Sequence, residues 1–277
     1  MPVVATNTAA NSALRFLNSN SASAAGSVGK LASGSRIVKA SDDAAGLAIG
    51  TRLMADVTAL TQAGINASQG ASVVQVADGG LGRIGDVLQR MKALAAQSLS
   101  GVPTNTERGF IDAEYQELVS EITDIADTTR FNGQSLLNGT AVASDYFVGT
   151  DVADTITVNF GTLSAVTANF QAGALGVNLS VGTATAAALA MAAVDTAIDV
   201  ISEARATSGA LISRFEFRGQ QIATSLENID AAKSAIMDVD LAAEQSKLVS
   251  NQVLVQAAVS AVSQANQIPQ SLLRVLQ

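Results

Sequence analysis

One stretch of the chain has the spacing of a cofactor site. Gly80-Leu-Gly-Arg-Ile-Gly85 spells G-x-G-x-x-G and follows Ser72-Val-Val-Gln-Val76, a run apolar enough to pass for a strand. Such a loop turns tightly and lets a pyrophosphate reach backbone N–H groups, but the fold needs a second strand some 20 residues on, ending in Asp or Glu for the ribose. The residues at that distance, Ala95 to Glu107, read as a polar turn containing Pro103, with no strand-like run. Helical periodicity also continues through the glycines, so no dinucleotide cofactor is expected.

The acidic residues between Glu107 and Asp127 are the next candidates. Their spacing places them along the polar face of one helix, whereas a calcium loop arranges its oxygens around a turn. A solvated face is expected, and no metal. The chain contains no His and no Cys, which removes the commonest general base, the thiol nucleophile and the usual transition-metal ligands. No catalytic residue is assigned and the chain is not expected to be an enzyme. The triplets at Asn66, Asn138 and Asn178 have the form N-x-S/T but are short enough to arise by chance.

The elements that would hold any site are helical. Of the 277 residues 48% are hydrophobic and only 4% aromatic, so the core must be made of Ala, Val, Leu and Ile. From Ala44 to Ser98 one track at seven-residue spacing reads Leu53, Leu60, Ala67, Val74, Leu81, Leu88, Ala95, and a second reads Ala63, Gly70, Ala77, Ile84, Met91, Ser98. That is a seam for a partner helix, roughly 80 Å long at 1.5 Å per residue. Ser41 is the candidate N-cap, with Asp42 and Asp43 in the first turn. The segment contains eight glycines, each costing about 1 kcal/mol against Ala in a helix interior, so the helix depends on tertiary packing. Gly46 and Gly50 could admit a close neighbour, or the glycines could be tolerated drift.

After Gly101 and Pro103 a shorter helix over about 106–128 should fold back as an antiparallel hairpin, with Ile111, Tyr115, Leu118, Ile122 and Ile125 on its apolar face. Turn signals follow at Arg130-Phe-Asn-Gly133 and Leu137-Asn-Gly139. Alternating runs at 146–149 and 155–160 predict a small β-hairpin, and residues 161–185 read as loops and weak strands. Helix returns near Ala186 with Ile201, Ser208, Phe215, Ile222, Ile229 and Ile236 spaced by seven. A last helix carries Leu241, Leu248, Val255 and Val262, with Pro269 near its end. The fold class is mainly α: a long antiparallel, coiled helical bundle formed by N- and C-terminal arms, with a small β insertion at about 130–185.

The net charge of −8 argues against nucleic acid as a partner, and no window reads as a membrane span. The N-terminus lacks the basic and apolar regions of a cleaved secretory signal, so export by the general route is not expected. Charge is also unevenly placed. Residues 1–35 carry only Arg15 and Lys30, and residues 248–277 only Arg274. Leu14, Leu17, Leu248, Val255, Val262, Leu272 and Leu273, set among Ala, Ser, Asn and Gln, predict an apolar stripe with almost no charge to keep it in water. The two ends could simply pack on each other, or the pair could also bury its outer faces against neighbouring copies; the second is expected.

Several motifs together resemble the bacterial flagellins: Ser33-Gly-Ser-Arg-Ile37, Ser41-Asp-Asp-Ala-Ala-Gly-Leu-Ala-Ile49, Gln89-Arg-Met-Lys-Ala-Leu-Ala-Ala-Gln-Ser98, Arg130-Phe-Asn-Gly133, Ala265-Asn-Gln-Ile-Pro-Gln270 and Leu272-Leu-Arg-Val-Leu276. The resemblance covers about 1–140 and 186–277. It implies a secreted structural subunit that polymerises with itself into the extracellular flagellar filament for swimming, exported unfolded by a type III apparatus, with a cap, junction proteins and an export chaperone as further partners. A hook-filament junction protein of the same family is the alternative. By resemblance 1–40 with 237–277 form an inner terminal-helix domain and 41–236 an outer helical bundle, and the short middle implies no added outer domain.

The inner self-assembly set is then Leu14, Leu17, Leu241, Leu248, Val255, Val262, Leu272 and Leu273. The bundle seam is Leu81, Ile84, Leu88, Met91, Ile111, Leu118, Ile122, Phe215, Ile222 and Ile229. Arg90, Leu94 and Glu114 match a surface through which some flagellins engage Toll-like receptor 5, while Lys92, Ala93 and Ala96 depart from the strongly recognised pattern. Leu248→Asp, or loss of the last 30 or so residues, is expected to abolish polymerisation.

Overall fold

The computed structural model describes residues 7–140, 143–160 and 169–275. Five helices dominate: α1 (Thr8–Ser33), α2 (Ala44–Leu99), α3 (Asn105–Thr128), α4 (Ala184–Met237) and α5 (Leu241–Val275). Between α3 and α4 lie two antiparallel strand pairs, β1 (Arg130–Phe131) with β2 (Gln134–Ser135) and β3 (Ser144–Phe147) with β4 (Thr155–Val158). The chain divides into two units, residues 1–57 with 228–277, and residues 58–227.

In the second unit the sevenfold spacing becomes a core. Leu60, Ala67, Val74, Leu81, Leu88 and Ala95 are buried, as are Ala63, Ala77, Ile84, Met91 and Ser98. α4 answers them in antiparallel order. Ile222 meets the Gly64 position, Phe215 meets Gly70 and Ile201 meets Gly85, while Lys92 pairs with Asp195 at 2.5 Å and Arg205 with Asp78 at 3.1 Å along the rims. α4 is long and apolar enough to cross a membrane by length and composition, but Ala187, Ala190, Val194, Ala197 and Ala204 are buried within this unit. Their apolarity is that of a coiled seam.

α3 folds back on α2, starting from a capping box in which the Thr104 N–H donates to Glu107 and the Glu107 N–H to the Thr104 hydroxyl. That backbone bond holds the Glu107 carboxyl below the usual range. Tyr115, Val119, Ile122 and Ala126 are buried on α3, with Ile111, Leu118 and Ile125 half-buried. Asn132 and Gly133, at φ 51° and 81°, make the two-residue turn joining β1 to β2, which needs positive φ at both central positions. The predicted hairpin is β3–β4, with Tyr146 opposite Ile156. Of the stretch read as loops and weak strands, 161–168 lies outside the described residues. Asn169 bridges to Asn138, and the chain then runs without regular structure to α4.

That run is held by side chains of α2 and α3. The Tyr115 hydroxyl donates to the Val177 carbonyl at 3.2 Å, Gln116 to the Leu179 carbonyl at 2.8 Å and Ser98 to the Val181 carbonyl, while the Val181 N–H donates to Asp112 at 2.6 Å. Burial, and then the Asp112 charge, push the Tyr115 hydroxyl up to about 12. A folded value above the unfolded value of about 10 means that this stabilisation is intact below pH 10 and is lost as the pH rises through 12. Thermal melts between pH 9 and 12 should show the midpoint falling more steeply for the natural chain than for Tyr115→Phe. Parallel falls would rule this out.

The start of α2 corrects the sequence reading. Ser41 is not its cap: the Asp43 side chain accepts the Gly46 N–H at 2.8 Å, and Asp42 turns back to accept the N–H groups of Lys39 and Val38. Ser41 sits one bend too early to reach the free N–H groups of the first turn. Among the glycines of α2, a Cβ at Gly46 would strike Asp43 and Ile37, at Gly50 Met237, at Gly70 the Phe215 ring at 2.6 Å, and at Gly80 Thr129 and Leu137. Gly79 faces open space, and Gly64, Gly82 and Gly85 have only ordinary contacts. Packing explains four of the eight, and what approaches them is side chains.

Candidate functional site

The first unit is built on α1 and α5, which lie antiparallel. Asn7 near the start of α1 reaches the Ala265 carbonyl at 2.8 Å, and Ser27 near its end reaches Glu244 at 2.7 Å. α1 ends at Gly34, whose φ of 68° suits glycine at a helix terminus. α5 starts after Asp240, which accepts the Ala243 N–H at 3.0 Å. Between them the main chain is tied by the Arg36 N–H to the Met237 carbonyl at 2.6 Å and the Val239 N–H to the Gly34 carbonyl at 3.1 Å.

The facing sides of this pair repeat every seven residues. Ala10, Leu17, Ala24 and Leu31 are half-buried on α1. Leu248, Ala258 and Ala265 are buried on α5, with Val255 and Val262 half-buried. Glu244 is only 6% exposed. The Ser27 hydroxyl, then Lys247 and Lys30, hold its carboxyl below the usual glutamate range.

Outside that seam, large apolar side chains stand open on both helices. Leu14, Phe16 and Val28 on α1 and Leu241, Val249, Val253, Leu254 and Val259 on α5 all lie near half-exposed or beyond, Phe16 at 68%. Residues 1–35 carry only Arg15 and Lys30, and residues 241–267 only Glu244, which is buried, and Lys247, so this surface has little to hold water.

The sequence-derived assembly set therefore divides. Leu14 and Leu241 lie on the open face. Leu17, Leu248, Val255 and Val262 face the partner helix of the same chain, because sevenfold spacing selects the intramolecular seam; Leu14 falls between its positions, whereas Leu241, one repeat before Leu248, is on the same track but lies 60% exposed at the start of α5. Leu272 and Leu273 lie where side chains fall outside the described residues. In the bundle set, Leu81, Ile84, Leu88, Met91, Ile122, Phe215 and Ile222 are buried and Ile111, Leu118 and Ile229 half-buried.

Of the three receptor-type positions, Arg90 and Glu114 pair at 2.6 Å on the surface. Leu94 is 2% exposed, so it belongs to the core and offers no contact area. Gly80 to Gly85 lie in mid-helix, where the N–H groups are used by the helix and none is free for a phosphate. The acidic row of α3 is partly solvated, but Asp112 and Asp127 accept hydrogen bonds from Val181 and Gln171. Among the described residues no group of three acidic side chains is placed to hold a metal.

Two terminal helical regions enclosing a short middle are also what known proteins share with this chain. Residues 4–142 match the bacterial flagellin N-terminal helical region, and residues 191–276 the bacterial flagellin C-terminal helical region. The chain belongs to the bacterial flagellin family. Among relatives, the flagellin of Halalkalibacterium halodurans is 37% identical over 247 residues, covering 89% of each chain. The flagellar filament 30.7 kDa core protein of Treponema maltophilum is 33% identical over 271 residues, covering 95% of each. The crystal structure of Bacillus cereus flagellin is 28% identical, covers 61% of this chain and 94% of that one, and has a TM-score of 0.49. The family is structural: flagellins polymerise into the extracellular flagellar filament, and this chain is a filament subunit. A mainly α fold without a large outer domain fits its length.

Proposed function

We propose that the open face of the α1–α5 pair is the surface through which copies pack, so that residues 1–40 with 237–277 form the inner layer of the filament and 41–236 the layer around it. The observation that carries this is the apolar, nearly uncharged face running from Leu14 to Val28 and from Leu241 to Val259. Burying one such side chain is worth about 1.5–3 kcal/mol, so several together outweigh the freedom lost on association. Contacts that are heterologous and do not close build a helix. No catalysis is assigned to the chain. A cap, junction proteins and an export chaperone complete the set of partners.

Seeded growth tests the proposal. Purified chain added to filament fragments should elongate into micrometre fibres, and a chain lacking the last 30 residues should stay soluble while its second unit remains helical by circular dichroism. Normal fibres from the truncated chain would refute it.

A further inference from the structure

Two solvent-facing aromatic side chains of the second unit stand in opposite charge settings. Phe110 on α3 is 73% exposed. On a helix surface the residues three and four away are neighbours, so Phe110 is flanked by Glu107, Ala113 and Glu114, with Glu117 one turn further on the same side, all of them exposed. Arg90 pairs with Glu114, while Arg108 turns away to the Ser98 and Ser100 carbonyls. The surroundings of Phe110 are therefore acidic.

Phe217 on α4 is 72% exposed and lines a cleft of about 330 Å³ between α4 and the β3–β4 turn, whose apolar wall Val148 and Ile156 continue. Arg214 and Arg218 enter it from α4. Arg218 holds the turn, donating to the Val148 carbonyl at 3.1 Å and to Asp154 at 3.0 Å. Arg214 has no ion-pair partner among the described residues, so in a chain of net charge −8 the cleft is a basic place.

The two features lie near opposite ends of the second unit. Arg108, close to Phe110, donates to the Ser98 carbonyl at 2.8 Å. At the cleft, Phe215 packs at Gly70 and the Asn66 side chain donates to the Phe147 carbonyl at 3.0 Å. Between Ser98 and Gly70 α2 extends roughly 40 Å at 1.5 Å per residue, so no copy can place Phe110 in its own cleft.

We propose that Phe110 of one copy docks against Phe217 in the cleft of the next, a head-to-tail contact of the second unit that is separate from the α1–α5 face and does not rest on it. The two rings supply an aromatic pair, and Glu107 and Glu117 approach Arg214, which fixes the orientation of the incoming helix. Knob and cleft are different surfaces of one chain, so the contact is heterologous and repeats without closing, as a filament subunit requires.

The chain has no cysteine, so single introduced thiols report contacts between copies. Ala113→Cys sits beside the knob and Gln221→Cys in the cleft wall, both at exposed positions. Filaments formed from an equal mixture of the two variants should give cross-linked dimer with a short bis-maleimide. Filaments of either variant alone, and the soluble mixture, should not. No dimer from the mixed filaments, or as much from one variant alone, would overturn the proposal. Phe110→Ser and Phe217→Ser should each leave the thermal melt of the soluble chain unchanged and raise the concentration needed for elongation about tenfold. The double variant should do no worse than either, because both remove one contact. Effects that multiply would mean that knob and cleft serve different partners, and no effect at all that neither is used; both results overturn the pairing. If the α1–α5 face stays exposed in these filaments, the packing surface is wrong and the cross-link still decides this contact.

Discussion

Val253→Asp with Leu254→Asp should leave the chain folded and unable to polymerise. Both side chains point away from the α1–α5 seam, at 58% and 47% exposure, so two carboxylates there are solvated in the free chain and cost its fold little. In a filament that buries this face they must be desolvated without partners, which is costly. The concentration needed for seeded elongation should rise at least about 100-fold, equivalent to about 2.7 kcal/mol, with an unchanged thermal melt of the soluble chain. Leu248→Asp stops assembly for a different reason. Leu248 is buried in the seam, one helical turn from the buried Glu244, so a second carboxylate opposes the first and parts the two helices before any neighbour arrives. Cross-linking between α1 and α5 separates the cases: retained in the Val253 and Leu254 variant, lost in the Leu248 variant.

Phe215→Ala should be the most damaging single truncation in the second unit. Its ring is 1% exposed, lies edge-on to Tyr146 with centroids 5.5 Å apart, and occupies a notch that exists because residue 70 is glycine. One side chain thus joins α2, α4 and β3. Truncating a buried Phe costs about 3–5 kcal/mol, to which loss of the ring pair adds roughly 0.5–1.5 kcal/mol. Denaturant titration of the soluble chain should show a fall of that size, and a loss below about 1 kcal/mol would mean that the three elements are held by other contacts. Arg218, which donates to the Val148 carbonyl at 3.1 Å and to Asp154 at 3.0 Å, anchors the β3–β4 turn to the same stretch of α4 and is the next contact to remove.

The bundle was readable from the residues because a seam repeating every seven positions has one geometric solution: both tracks of α2 and the Phe215 track of α4 describe helix faces that must be covered. The same rule misdirected the reading of the ends. It identifies whatever faces the nearest helix, so Leu248, Val255 and Val262 are used within the chain, while the open face lies at Phe16, Val253 and Val259, where no periodicity flags it. Leu94 was placed on a surface by resemblance, although its place among Met91, Ala95 and Ser98 on a buried helix face already argued for the core. The capping box has the spacing Thr104-Asn-Thr-Glu107, a signal with a known mechanism, and it starts α3 at Asn105 where periodicity alone places the start at about 106. The ties from Ser98, Tyr115 and Asp112 to residues 177–181 carry no sequence signal, because they join side chains to main-chain atoms more than 60 positions away.

A helical reconstruction of filaments grown from the purified chain tests the packing surface most directly. Phe16, Val28, Val253, Leu254 and Val259 should each lose nearly all their exposure against side chains of neighbouring copies, with α1 and α5 innermost. Filaments in which those residues still face solvent, held together through the second unit alone, would contradict the account.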